Sequence, residues 1–260
     1  MELRFSPLFS GSSGNAIYVG CGDTHILVDA GLSGTRIVNE LAKIGLHPSQ
    51  LSAILVTHEH SDHAQGVGIL SRKFHLPIYA TEGTWDGMGG KIGSVDAHFR
   101  CILQPEQDFY MGGMNIMPFS TPHDANQPVG YVFESAGGKF AIATDLGCIK
   151  KGWFNHVRGA DAVLLESNYD PQMLEFGPYN AVLKKRVRSE KGHLSNEDCA
   201  AMLSLLAMQG DLRTVVLAHI SDNNNTPLTA KMATLDAFSQ FGIDGIQLEA
   251  GGPFCPPLEI

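Results

Sequence analysis

The segment His58-Glu59-His60-Ser61-Asp62-His63 constrains this chain more than any other. It places three imidazoles and an aspartate within six residues, directly after the apolar run AILVT. With 11 histidines in 260 residues, three at these spacings would arise by chance at about one start position in 13,000. Several close imidazoles are costly to bury unless they share a cation. Two positions apart on an extended segment, His58 and His60 face the same way, and the turn that follows can bring Asp62 and His63 round to a second ion. Imidazole nitrogen and carboxylate oxygen suit Zn²⁺ and, with more oxygen character, Mn²⁺ or iron.

The surrounding pattern is that of an α/β chain. LRFSPLF, AIYVG and HILVDAG read as strands separated by a Gly/Ser turn at Ser10 to Gly14 and a Gly-Asp turn at Gly22 and Asp23. From Ser33 the period becomes helical, with Ile37, Leu41 and Ile44 on one face and Gly45 closing it. AILVTH then reads as a buried strand that delivers a loop at its C-terminal end. A helix over Gly66 to Phe74 and the strand PIYAT follow, and the glycine-rich stretch Gly83 to Gly93 reads as an irregular loop of unassigned role. The second half repeats the order: strands RCILQ, MNIMPFST, GYVFES, KFAIATD and AVLLES, helices near Leu174 to Arg188 and Asn196 to Met208, the strand TVVLAH, and a last helix over Ala230 to Phe241 before GIQLEA. Three of these strands lead to His123, Asp145 and His219, where rigid elements hold side chains to the tolerance that metal geometry demands.

Composition sets the class. Hydrophobic residues at 43% and charged residues at 17% fit one compact domain over residues 1–260. The opening MELRFSPLFSGSSGN fits no export signal and no apolar run reaches membrane-spanning length. The five cysteines (Cys21, Cys101, Cys148, Cys199, Cys255) form no C-x-x-C pair, so a reducing cytoplasm and no membrane partner are expected. A formal net charge of −9 argues against a whole-molecule grip on nucleic acid, yet Lys184, Lys185, Arg186, Arg188 and Lys191 form a local basic run that could contact phosphate. As a solvated helix face the same run would carry no function.

The H-x-H-x-D-H motif with its leading strand and VDAG segment resembles the metallo-β-lactamase superfamily, and the resemblance runs the length of the chain. It implies a four-layer αββα sandwich. By the family pattern, His58, His60 and His123 would hold one divalent ion, Asp62, His63 and His219 the other, and Asp145 would bridge them, with STPHDA, IATDLG and LAHIS carrying the last three ligands. Such a pair of ions, Zn²⁺ or Mn²⁺ with iron also fitting, lowers the pKa of a bound water and yields a hydroxide nucleophile at neutral pH. Asp29 of VDAG stands where the family orients a ligand histidine, and His193 of GHLSN stands where phosphodiesterase members carry a histidine outside the metal set, as a donor to the leaving oxygen.

SGSSGNA, THEHSDHAQGV, KKRVRSEKGHLSN and the chain length are similar to the YycJ group (also WalJ or VicX) of DNA exonucleases. This implies DNA ends as substrate, degraded 5′ to 3′, with Asp62, Asp145 and His193 in the chemistry and Ser12, Ser13, Asn15, Lys184, Lys185, Arg186 and Arg188 binding substrate. The short stretch between Asp145 and His219 leaves no room for an inserted β-CASP domain. Two other functions stay open: a small-molecule or cyclic phosphodiesterase with the same ions and His193 but no need of the basic run, and a scaffold that keeps the metal for folding.

Overall fold

The structure is a computed structural model and describes residues 2–254 and 256–260, so Cys255 lies outside the described residues. The chain folds into two compact units: one runs to Ser120 and adds Ala125–Gly138 and Gly252–Ile260, the other comprises Thr121–Asp124 and Lys139–Gly251.

In the first unit, β1 (Leu3–Phe9), β2 (Ala16–Cys21) and β3 (Thr24–Val28) form an antiparallel meander, and β4 (Ala53–Leu55), β5 (Ile78–Ala80) and β6 (Arg100–Ile102) continue it in parallel. Parallel neighbours need crossovers, and helices supply them. These are α1 (Gly34–Lys43) before β4, α2 (Ser61–Ala64) and α3 (Val67–Phe74) before β5, and α4 (Glu82–Met88) before β6. Ile37 and Leu41 of α1 are buried as their spacing predicts, and Gly45 takes the left-handed φ of 76° beyond the helix. A second, antiparallel group joins β7 (Phe109–Met111), β8 (Met114–Ser120) and β9 (Val129–Ser135).

The second unit carries a parallel sheet of β10 (Gly138–Ala143), β11 (Ala162–Glu166), β12 (Thr214–Ala218) and β13 (Gln247–Ala250). The runs AVLLE and TVVLA are buried along their length, the continuous apolar pattern of strands covered on both faces. α5 (Lys151–Val157) links β10 to β11, and α9 (Pro227–Phe241) links β12 to β13. Between β11 and β12 run α6 (Pro171–Phe176), α7 (Ala181–Val187) and α8 (Asn196–Ala207). A last strand, β14 (Leu258–Glu259), pairs with β1 in the first unit.

The expected irregular loop at Gly83 to Gly93 is a correction. It holds α4 and a 3-10 turn over Gly89–Ile92. Thr81 caps α4 by accepting from the Thr84 N–H, and burial of Trp85 and Met88 outweighs the low helix propensity of its glycines. The helical stretch near Leu174 to Arg188 is two helices, broken at Gly177 and Pro178. Both α5 and β7 went unforeseen.

Candidate metal centre

Parallel strands place their functional residues at one edge, the carboxyl end. In the first unit Asp29 follows β3, and Thr57 and His58 follow the neighbouring β4. Asp29 is wholly buried with φ 61°, a conformation few non-glycine residues adopt, and its carboxylate explains why it is held there. Oδ1 accepts the Thr57 N–H at 2.8 Å, and Oδ2 accepts the Thr57 hydroxyl at 2.8 Å and lies 2.7 Å from His63 Nδ1. Asp29 therefore orients His63, as the resemblance implied. Thr57 Oγ1 stands 3.0 Å from His58 Nδ1. For both histidines Nδ1 is tied, so Nε2 is the nitrogen that would meet a cation.

The donor arrangement fits that use. His58 Nε2 and His60 Nδ1 are 3.0 Å apart, His63 Nε2 is 3.4 Å from Asp62 Oδ2, and the His58 and His63 rings are 4.1 Å apart. The backbone around Asp62 is braced by the segments that precede β2 and follow β3: Asn15 N–H donates to Asp62 O at 2.8 Å and Ala30 N–H to His63 O at 2.8 Å. A Cβ at Gly31 would fall 1.6 Å from Asp62 O, so the VDAG segment needs glycine there for the approach. Asn15 is buried with Nδ2 3.0 Å from His63 Nε2, whereas Ser12 and Ser13 are exposed turn residues.

In the second unit the carboxyl edge of β10, β11 and β12 carries Asp145, Glu166 and His219. Asp145 and His219 also have positive φ, 58° and 51°. Glu166 is the residue that sequence reasoning missed. Fully buried, it takes His193 Nδ1 at 2.8 Å and His219 Nδ1 at 2.7 Å on Oε1, and the N–H groups of Leu146 at 2.8 Å and Leu194 at 3.1 Å on Oε2. Burial pushes its carboxyl pKa up, but the two imidazoles hold it down at about 2. His123 Nδ1 contacts Gly192 O at 3.1 Å and Nε2 lies 3.5 Å from Asp145 Oδ1. Burial lowers the His123 pKa against the pull of Asp145, which favours the neutral imidazole that a metal requires. One ligand atom each from Asp145, Glu166, His193 and His219 lie within 4.8 Å of one another. Buried imidazole and carboxylate groups at this density suit divalent cations.

The basic run is largely engaged. Arg186 forks onto Asp124, Arg188 pairs with Glu175 at 2.6 Å, and Lys184 Nζ donates to Glu175 O. Lys185 is exposed. His193 stays close to α7 through its N–H to Val187 O at 2.9 Å.

A strand-edge cluster of buried histidines and carboxylates on an α/β frame defines the class: the chain belongs to the metallo-β-lactamase superfamily, and a model of the beta-lactamase superfamily domain matches residues 24–220. Within that class it is similar to the exodeoxyribonuclease YycJ of Bacillus anthracis, 38% identical over 93% of this chain and 91% of the relative. It is also similar to the exodeoxyribonuclease WalJ of Streptococcus pneumoniae D39, 40% identical over 92% and 89%. Among solved structures, the metallo-beta-lactamase fold protein YhfI of Bacillus subtilis superposes with TM-score 0.73 at 15% identity over all of both chains. A diphosphatase of the PhnP family gives 0.69 at 18%, over 100% and 98%. The expected αββα class is borne out, and between Asp145 and His219 the described residues hold only α5, β11, α6, α7, α8 and β12. The class is that of metal-dependent hydrolases. Among the described residues no helix is long and apolar enough to cross a membrane.

Proposed function

We propose that this protein is a DNA exonuclease that hydrolyses phosphodiester bonds from 5′ ends. The observation that carries this reading is its likeness, over more than nine-tenths of the chain, to the two exodeoxyribonucleases. His58, His60 and His123 are the ligands proposed for one divalent ion and Asp62, His63 and His219 for the other, with Asp145 shared; Zn²⁺ and Mn²⁺ both suit the set. When bound, such ions supply Lewis acidity toward phosphate oxygens and lower the pKa of water.

The chain's own residues do the rest. Glu166 fixes His193 through Nδ1, which aims Nε2 as the proton donor to the departing oxygen and lets the carboxylate stabilise the imidazolium from which that proton leaves. Asp29 and Thr57 keep His63 and His58 in orientation. Lys185, with Ser12 and Ser13 at an exposed turn, is proposed to meet the DNA backbone. The four described cysteines are free thiols, which suits a reducing cytoplasm.

A second reading, hydrolysis of a small phosphodiester, is favoured by one observation: Lys184, Arg186 and Arg188 already have partners within the protein. Metal-reconstituted protein assayed on single-stranded DNA and on bis(p-nitrophenyl) phosphate separates the two. The nuclease reading expects DNA turnover that is lost in His193→Ala and weakened by Lys185→Glu. Turnover of the small ester alone, indifferent to Lys185→Glu, selects the second reading.

A further inference from the structure

The stretch between β5 and β6 takes no part in the metal centre, yet it builds a cavity of about 470 Å³. That is the size of sites that hold ligands such as a nucleotide. Trp85 of α4, the backbone of Gly89, Gly90 and Gly93, Ser94, and Arg100 at the start of β6 line it. The indole of Trp85 is fixed, almost fully buried with Nε1 donating to Cys101 O at 3.1 Å. The exposed Arg100 guanidinium lies over that ring, 5.0 Å from its centroid. A guanidinium held over a fixed aromatic ring pairs two groups on which bases stack.

The wall is held in place from outside. Arg72 Nη1 donates to Ile92 O at 2.9 Å and to Ser94 O at 3.0 Å, which puts a second guanidinium at the loop. With the exposed Lys91, these charges favour an anion on a protein whose net charge is −9. Asp86, also in the lining, can accept from an exocyclic amine. The opposite side of α4 rests on the metal motif. A Cβ at Gly87 would come within 2.3 Å of the Glu59 side chain, so the helix lies directly against the residue between His58 and His60.

We propose that this cavity binds one nucleotide of the substrate strand, its base against the Arg100–Trp85 pair and its phosphate drawn by Arg100 and the neighbouring Lys91. The site rests on the nuclease reading and adds a grip on the strand away from the bond being cut.

Trp153 is the other of the two tryptophans, so Trp153→Phe leaves Trp85 as the sole indole emitter. Metal-free Trp153→Phe protein titrated with 5′-deoxyadenylate should show a saturable change in emission that inorganic phosphate does not produce. Arg100→Ala should weaken binding about tenfold, in the range measured for loss of a base-stacking partner. Gly90→Leu should abolish it, because a Cβ there meets no atom within 4 Å and a longer side chain occupies the open space. No emission change, or equal binding by parent, Arg100→Ala and Gly90→Leu, overturns the proposal.

Kinetics on the otherwise unaltered protein give a second reading that does not depend on Trp153→Phe folding. Arg100→Ala and Gly90→Leu should raise KM for single-stranded DNA about tenfold at unchanged kcat, and leave bis(p-nitrophenyl) phosphate hydrolysis as it was. An unchanged KM overturns the subsite while leaving the nuclease standing. If the parent fails to cut DNA but 5′-deoxyadenylate binds as described, the nuclease reading fails and the nucleotide site stands.

Discussion

Replacing Glu166 with glutamine tests the part of the site that sequence reasoning did not find. The carboxylate serves two imidazoles on one oxygen and two backbone N–H groups on the other, at 2.7 to 3.1 Å. Glutamine has one oxygen and one NH₂. If the oxygen stays with Leu146 and Leu194, the amide hydrogens face Nδ1 of His193 and His219 and push their protons to Nε2, which blocks metal binding by His219 and leaves the His193 imidazolium without the carboxylate that stabilises it. If it turns to the imidazoles, the NH₂ confronts two buried N–H donors. Hydrogen bonds to a charged group contribute about 1.5 to 3 kcal/mol each, so Glu166→Gln should lower metal-free stability by about 2 to 4 kcal/mol.

Partners that orient metal-binding histidines are worth about 10- to 100-fold in metal affinity or activity, and the same loss is expected here. Because the native Glu166 pKa is held at about 2, below its ordinary 4.5, its contribution is complete above pH 4.5 and fades as pH falls toward 2. The stability gap between parent and Glu166→Gln should close over that window. Chelator competition for metal affinity and urea unfolding across pH measure these. A variant within threefold of the parent in metal affinity, with a pH-independent stability gap, would refute the role given to Glu166.

Gly31→Ala should move Asp62, since its Cβ would fall 1.6 Å from the Asp62 carbonyl oxygen; metal-dependent turnover should drop at least tenfold and stability by about 1 to 3 kcal/mol, read by calorimetry. Removal of metal with chelator should lower the unfolding free energy by about 2.7 kcal/mol for each ion relative to protein held at 100 times the metal Kd, restored on adding Mn²⁺ or Zn²⁺ and checked by thermal shift. Cys199, wholly buried with its thiol pKa raised by burial, should react with a thiol reagent only after unfolding, which mass spectrometry of labelled peptides would show.

What the sequence made legible was whatever repeats a local physical pattern. H-x-H-x-D-H stands out because its imidazoles are close in sequence, and His123, Asp145 and His219 because each follows an apolar strand. Glu166 also closes an apolar strand, but no ligand position of the family resemblance fell on it. It ends the run AVLLE and acquires its role only when β11 lies between β10 and β12, a pairing invisible in one strand. The positive φ of Asp29, Asp145 and His219 was equally hidden, since it belongs to the folded backbone and no local residue pattern announces it. α4 was misread because Gly83, Gly87, Gly89 and Gly90 suppress local helix propensity while its stabilisation comes from burying Trp85 and Met88. The basic run looked like free charge because Asp124 and Glu175, its partners, are remote from it or lie on another helix.

This chain is proposed to remove nucleotides from DNA ends with metal held at the histidine cluster. The most direct measurement is the product pattern from 5′-labelled and 3′-labelled single-stranded DNA incubated with metal-reconstituted protein, beside Asp145→Ala protein of intact fold. The 5′ label should be released at once as a short product, while the 3′-labelled strand should shorten step by step and Asp145→Ala should do neither. Internal fragments from both labels, or equal degradation by Asp145→Ala, would contradict the proposal.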